Sequence, residues 1–269
     1  MPKAIDLKPA PGQMLKPAEL LDLRGVGHLT LADRRVFNAL VENAWGPKLG
    51  QTDAWFKIET ARLREHVQRL DRLKDSIERL MQTLAVTIKD DIEERTQLLG
   101  TTRLKISENA GTLSYQFSFS LVELLKESSI FAKLDLAVMR GFGSKYAFAL
   151  YEQTARRVRL QHKMTETLSL AELRDLLGVE KDKLVPFKNL NKFAIQPAVT
   201  EVNAISPWSV SILPIKDGKK VTGVIYGWSV KDTTGQKAAY AELQRHRTGR
   251  KQRLDGTVET IADEDETER

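Results

Sequence analysis

The sequence predicts an α+β fold in which one arrangement occurs twice: a helix, a short helix, a long helix and a β-hairpin. Two observations predict this repeat. Apolar residues recur at helical spacing in both halves, with Leu63 and Leu173 in the short helices and Ile77 and Leu190 in the long ones. Alternating apolar and polar runs around turn-forming segments follow in each half. A length of 269 residues accommodates two such units.

The first unit opens with an amphipathic helix over residues 29–45, for which Thr30 is the expected N-cap. Its other predicted elements are a strand at 55–58, a short helix at 59–67, a long helix at 69–84, a strand at 85–90, a hairpin formed by 102–107 and 112–119, and a helix at 120–127.

The second unit repeats this order. Ser169 is the expected N-cap of its short helix, Gly178 is the expected stop, and Pro197 is expected to kink or break its long helix. The predicted elements are helices at 143–160, 167–177 and 183–205 and a hairpin formed by 208–215 and 221–230, with the turn at 216–219.

A helix-turn-helix followed by a β-hairpin is the arrangement of a winged helix. The sequence therefore predicts two tandem winged-helix domains. Winged helices mostly bind duplex DNA by placing the second helix of the turn in the major groove. The alternative is a pair of α+β domains that mediate protein contacts only.

Composition excludes several classes of protein. The absence of cysteine excludes disulfides, Fe–S clusters, Cys-ligated zinc and a thiol nucleophile. The chain has no apolar run long enough to span a membrane, and its proline-rich start does not resemble a secretory signal, so we expect a cytoplasmic protein without membrane contact. A net charge of +6 is consistent with a nucleic-acid partner.

The helix predicted at 183–205 carries the strongest DNA-binding signal. The side opposite its apolar stripe contains no acidic residue, whereas a merely solvated face usually mixes Glu with Lys. Asn and Gln can bond adenine, and Lys can meet guanine or phosphate. The DNA-contacting residues predicted there are Lys188, Asn189, Lys192, Gln196 and Thr200. Lys216, Lys219 and Lys220 in the second hairpin are predicted phosphate contacts.

The first unit gives a weaker signal. Arg72 and Arg79 are candidate DNA contacts on its long helix, but Asp75 shares their face. Its wing tip, 107–112, is acidic or neutral, which favours protein contacts or weak DNA binding. The basic run 156–163 fits either a phosphate contact or a soluble helix end.

No catalytic constellation is evident. The sequence has no P-loop, its four histidines are scattered, and the acidic residues at 90–94 are interpreted as a solvated turn. Tyr146 and Tyr151 are expected in the core. We therefore predict no enzymatic activity, catalytic residue, metal or cofactor.

A set of motifs in the second half occurs in a characteristic order. It comprises Lys145-Tyr146, Leu150-Tyr151-Glu152, Leu170 to Gly178, Phe187, Leu190, Ile195, Pro197-Ala198 and Glu201-Val202-Asn203. This set resembles the replication initiators of iteron-containing plasmids, the Rep_3-type family. Looser similarity extends over the first half, through Leu31 to Leu40, Leu63, Ile77 to Leu84 and Phe131 to Asp135.

The resemblance implies tandem winged helices that bind the direct repeats (iterons) of a plasmid origin. It also implies a homodimer in equilibrium with a monomer, where the monomer opens the origin and the dimer represses the initiator's own gene, and recruitment of the host initiator and replicative helicase. A tandem winged-helix transcriptional repressor is the alternative function, and a protein-interaction scaffold is a third.

The expected domain organisation follows from these elements and from the charge, and the dimerisation role of the first domain follows from the resemblance. Residues 237–253 carry six basic groups and one acid, and residues 254–269 carry seven acids and one base, which is typical of a solvated tail. The basic block fits either a solvated tail or an accessory contact with the DNA backbone, and residues 237–246 fit a short helix that extends from the second domain. We expect a partly disordered N-terminal arm at 1–27, a first domain at 28–132 for dimerisation and accessory DNA contact, a second domain at 133–232 as the principal DNA-binding unit, and a disordered tail at 233–269.

Overall fold

The computed structural model describes residues 3–67, 69–89, 91–105, 111–160 and 162–254. No helix within these ranges is long and apolar enough to cross a membrane. Two winged-helix units follow one another along the chain, and their buried side chains form one continuous cluster. The predicted α+β fold with two tandem winged-helix domains is confirmed.

The helices of the first unit agree closely with the sequence pattern. Thr30 and Asp33 form a reciprocal capping box at the start of the first long helix, an interaction worth about 1 kcal/mol. The elements are α1 (Ala18–Leu21), α2 (Leu31–Ala44), α3 (Thr60–Val67), α4 (Leu70–Gln82) and α5 (Phe119–Lys126), with strands β2 (Phe56–Glu59), β3 (Leu84–Lys89), β4 (Ile92–Gln97), β5 (Leu99–Lys105) and β6 (Thr112–Phe117).

The strands of this unit form a three-stranded antiparallel sheet, ordered β2-β6-β5, and a separate two-stranded ribbon of β3 and β4. The interpretation of the acidic segment as a solvated turn is wrong for Glu93 and Glu94, which lie on β4 opposite Ile88 and Thr87. Asp91 makes the tight turn with a φ of 61°. The residue propensities do not predict β4, because Glu is depleted in strands. Backbone pairing with β3 stabilises this strand instead.

The N-terminal segment differs from the expected arm. Gln13–Pro17 forms β1, which pairs antiparallel with β7 (Phe131–Asp135), and Ala4 and Ile5 are buried. The prediction of partial disorder is therefore wrong for the described part, residues 3–27. Met14 and Leu15 are almost completely buried, and their burial offsets the entropy of ordering this segment.

The second unit contains α6 (Leu136–Gly141), α7 (Lys145–Arg157), β8 (Thr165–Ser169), α8 (Leu170–Leu177), α9 (Phe187–Leu190), α10 (Gln196–Ile205), β9 (Trp208–Asp217) and β10 (Lys220–Val230). Its sheet has the order β8-β10-β9. Ser169 caps α8 and Gly178 ends it with a φ of 66°, as predicted. Residues 167–169 were expected in that helix and belong instead to β8.

The predicted helix over 183–205 begins only at Phe187 and contains a π turn at Asn191–Ile195, directly before Pro197. Proline has no amide hydrogen to donate to the preceding turn, so the series of backbone hydrogen bonds along the helix is interrupted there. The buried residues follow a spacing of four: Leu190, Ala194, Ala198 and Val202. In a helix of 3.6 residues per turn, residues spaced by four would rotate progressively around the axis. The π turn contains more residues per turn and offsets this rotation.

The tail is also more ordered than expected. Residues Thr233–Gln244 form α11, which contains most of the short helix expected at 237–246, and Arg250–Leu254 form α12, so the prediction of disorder is wrong for 233–254. Arg250 is 5% exposed, and it donates a 2.7 Å hydrogen bond to the carbonyl of Gly141 and pairs with Glu242. The acidic segment 255–269 lies outside the described residues.

A buried polar cluster joins the two units. The ammonium of Lys16 on β1 and the amide of Asn38 on α2 each donate a 2.7 Å hydrogen bond to Oε1 of Glu152 on α7. Lys16 and Glu152 are each 5% exposed. Burial lowers the pKa of Lys16, although the adjacent carboxylate opposes the shift. The relative position of the units thus depends on an ion pair excluded from water.

Candidate nucleic-acid interface

The turn between α8 and α9 is held by one arginine. The guanidinium of Arg174 donates hydrogen bonds to the carbonyls of Leu184 at 3.0 Å, Glu180 at 3.2 Å and Lys181 at 3.4 Å, and also to that of Lys183. Leu184 has a φ of 52°, a conformation that this fixed loop imposes. Arg174 thereby sets where the second helix of the helix-turn-helix begins.

The outer side of this second helix carries a continuous exposed stripe, which we name the recognition stripe. All five side chains predicted on this helix from the sequence lie on it. Its members recur with a spacing of four, and none is acidic: Lys188, Asn189, Lys192, Phe193, Gln196, Pro197 and Thr200.

Polar groups on the stripe are little used within the protein. Gln196 donates a long, 3.4 Å hydrogen bond to Asn191, and the ammonium of Lys192 lies 5.2 Å from the ring centroid of Phe193. Within the described ranges, no acidic side chain forms an ion pair with Lys188 or Lys192. These groups are therefore available to a ligand, and their chemistry matches base edges and phosphates.

The first acid of the helix, Glu201, is directed away from the stripe. Its carboxylate accepts a 2.6 Å hydrogen bond from the backbone N–H of Gly143 and lies 3.8 Å from Arg250. Burial raises the pKa of Glu201. The contact with the tail helix α12 thus holds this negative group away from the recognition stripe.

The wing of the second unit is the β9–β10 hairpin. Lys220 pairs with Asp217, and Gly218, with a φ of 56°, makes the turn between them. Lys216, Lys219 and Lys220 are all exposed, as a phosphate contact requires.

The two arginines predicted on the first unit lie on α4, apart from the recognition stripe. Arg72 is exposed. Arg79 donates hydrogen bonds of 2.9 and 2.8 Å to the carboxylate of buried Asp33, which also accepts one from Ser76. Burial favours a higher pKa for Asp33, but these hydrogen bonds outweigh it and hold the pKa below its usual value. Arg79 therefore fastens α4 to α2.

Two further arginines lie near Arg72 and Arg79: Arg35, which sequence reasoning did not single out, and Arg247 of the basic tail block. Arg35 and Arg247 line the same groove between the units, and the groove also contains Asp75. Arg35 donates hydrogen bonds to the carbonyls that end α6, at 2.9 Å to Arg140 and 2.5 Å to Phe142. Arg35 and Arg247 are far apart in the sequence, so local patterns do not reveal that they line the same groove.

The basic run at the end of α7 makes contacts within the protein. Arg157 pairs with Glu166 at 2.5 Å and lies over the ring of Tyr226, and Arg156 pairs with Asp22. Neither alternative left open for this run, a phosphate contact or a soluble helix end, describes Arg156 and Arg157, which hold other segments of the chain. Tyr151 is buried and Tyr146 partly buried, as expected. Among the described residues, no cluster of three potential metal ligands occurs.

Two winged helices with an acid-free, exposed recognition stripe define a DNA-binding protein of the double winged-helix class. The sequence matches the family described as initiator replication protein, WH1, over residues 16–155, and the one described as initiator Rep protein, WH2, over residues 169–228. The chain belongs to the replication initiator (Rep) protein family. The resemblance deduced from the motifs is confirmed.

A solved structure shares the fold. The crystal structure of the Pi initiator protein in complex with iteron DNA matches with a TM-score of 0.59 and 19% identity, and the alignment covers 82% of this chain and 98% of that one. Domains 2 and 3 of RctB match with a TM-score of 0.43 and 10% identity over 84% and 95% of the two chains. A search of curated protein sequences gives no match.

Proposed function

We propose that this protein initiates plasmid replication by binding the direct repeats, or iterons, of a plasmid origin. The observation that carries the proposal is the recognition stripe: an exposed helix face with Lys, Asn and Gln side chains and no acid, in a domain whose wing carries three exposed lysines. Membership of the initiator family and the bound iteron DNA of the Pi initiator support it.

The second unit is the principal DNA-binding domain in this proposal, and the first makes accessory contacts and mediates dimerisation. We further propose that the bound protein promotes origin opening, recruits the host initiator and replicative helicase, and represses its own gene. A homodimer exchanging with a monomer would divide these roles. These finer roles follow from the resemblance of the motifs to iteron-plasmid initiators.

Footprinting on DNA that flanks the gene tests the binding step. We expect protection that repeats at about 20 base pairs, two helical turns, because tandem domains on one face of the duplex return to the same face at that spacing. A single isolated protected site would contradict iteron binding. Permanganate reactivity of an adjacent AT-rich tract separates an initiator from a repressor, since only an initiator unpairs that DNA.

A substitution tests the placement of the recognition stripe. Lys192→Ala should weaken specific binding by about 5- to 150-fold if the ammonium reads a base. Lys237→Ala is the matched control, since Lys237 is an exposed lysine on α11 outside the stripe. Equal affinities of Lys192→Ala and Lys237→Ala would mean that the DNA does not bind at the recognition stripe. Wild-type affinity should also fall with salt with a slope of roughly −5 to −7, whereas a protein scaffold would show no DNA affinity.

A further inference from the structure

Phe193 is an exposed aromatic residue at the centre of a polar surface. Its side chain is 55% exposed, although the same helix buries apolar side chains on its other side. Sequence reasoning did not single it out, because only polar and charged side chains on the face opposite the apolar stripe were selected. Phe193 lies within the π turn Asn191–Ile195, beside Lys192 on the recognition stripe.

The neighbours of Phe193 indicate which base pair it would meet. Asn189 precedes it by about one turn and Gln196 follows it by about one turn. Asn and Gln read adenine through its N6 and N7 atoms in the major groove. Every adenine pairs with a thymine, whose C5-methyl group lies in the same groove and is its apolar feature there.

We propose that Phe193 reads thymine by packing its ring against the C5-methyl group in the major groove, and so acts as a specificity-determining residue. The inference rests on the proposed DNA binding by this helix and extends it to a named base feature. The ammonium of Lys192 lies over one face of the ring, 5.2 Å from its centroid, and Phe193 stays 55% exposed. Among the described residues, no other aromatic ring packs on Phe193.

Replacing thymine by deoxyuridine removes only the methyl group and leaves every hydrogen-bonding atom of the base pair in place. The experiment uses the tightest duplex that the full chain selects from a random pool, with each thymine replaced in turn. Affinity is measured by fluorescence anisotropy at one salt concentration. We expect one or two positions at which the wild-type protein binds the deoxyuridine duplex about fourfold more weakly.

The variant Phe193→Ala should bind the thymine duplex about four- to tenfold more weakly than wild type and should no longer distinguish thymine from deoxyuridine at those positions. Its salt slope should be unchanged, because no charge is removed. Tyr240→Ala is the matched control: Tyr240 is 66% exposed on α11, outside the stripe, and this variant should discriminate as wild type does. A thermal unfolding curve checks that Phe193→Ala is folded.

Equal wild-type affinity for thymine and deoxyuridine at every position would overturn the proposal and leave DNA binding by the helix intact. This arm needs no variant, so it holds even if Phe193→Ala does not fold. Retained discrimination by a folded Phe193→Ala would also overturn it, since another side chain would then contact the methyl group. Failure of the wild-type chain to select any sequence would overturn the proposed function together with this inference.

Discussion

Replacing Glu152 by glutamine removes the negative charge that pairs with buried Lys16 between the two domains. The two side chains are only 6% exposed and 2.7 Å apart, so water cannot take the place of the carboxylate. The amide oxygen of the glutamine can still accept the hydrogen bond from Asn38. The variant therefore isolates the effect of leaving one ammonium group unpaired in the interior.

The largest expected loss equals the cost of neutralising Lys16. At pH 7 this is about 1.4 kcal/mol for each unit between pH 7 and the ordinary lysine pKa near 10.4, or about 4.6 kcal/mol. Loss of a partner in a buried ion pair typically costs about 3–5 kcal/mol, so we expect Glu152→Gln to lower the free energy of unfolding by about 3–4.6 kcal/mol at pH 7.

The sign of the pH dependence follows from the lowered pKa of Lys16. A lysine whose pKa is lower in the folded than in the unfolded state binds fewer protons when folded, so stability rises with pH between the two values. In Glu152→Gln the carboxylate that opposes the shift is gone, so the pKa of folded Lys16 falls further and the interval extends towards neutral pH. The deficit of the variant should therefore shrink between pH 7 and pH 9, by up to about 2.7 kcal/mol.

Urea unfolding followed by far-ultraviolet circular dichroism at the two pH values measures the deficit. The double variant Lys16→Met, Glu152→Gln should recover most of the lost stability, because no charge remains to be desolvated. A deficit below 1 kcal/mol at pH 7, or one that stays constant up to pH 9, would refute the assignment of a buried ion pair.

Three further predictions address a turn, the wing and the first domain. Gly178→Ala should destabilise by about 2 kcal/mol in a urea titration, because its φ is 66° and the added Cβ would displace the guanidinium of Arg34 from the carbonyl of Val26, whereas Gly218→Ala, at an open turn with a φ of 56°, should cost about 1 kcal/mol. Lys219→Ala should weaken binding to all duplexes alike and reduce the salt slope by about 0.9; an unchanged slope would exclude a phosphate contact. Asp33→Asn should lower stability by about 2 kcal/mol at pH 7, because Arg79 stays partly solvated. This deficit should shrink as the pH falls below about 4, where Asp33 of the unfolded wild-type chain takes up a proton while the folded carboxylate, with its lowered pKa, stays ionised; a deficit independent of pH would contradict the ion pair.

Local sequence signals predicted much of the fold correctly. The helices with strong apolar periodicity were placed to within a few residues, and the caps at Thr30, Ser169 and Gly178 lie where the residue types indicate. These signals are local: a cap or an apolar stripe depends on residues within one or two turns. For the same reason, the residues proposed for the recognition stripe could be named from their position opposite the apolar face.

Elements that depend on distant partners were not predictable from local patterns. The strand β4 is rich in Glu and is stabilised by its pairing with β3. The strand β8, Thr165–Ser169, is the edge strand of a sheet whose other two strands begin only at Trp208. The N-terminal strand β1 pairs with β7 across the whole first domain. Long-range pairing supplies the stability that local propensity lacks in these segments.

The sequence by itself therefore determined the class of this protein, the order of its two domains and the chemistry of one helix face, since each follows from residue types at short spacing. The tertiary structure alone decided how those residues are used. It assigned Arg79 to Asp33, directed Glu201 towards Gly143 and the tail, and brought Arg35 and Arg247 into one groove. Contacts between segments far apart in the chain decide which charged side chains form ion pairs and which helix faces are exposed. Only the folded arrangement determines these contacts.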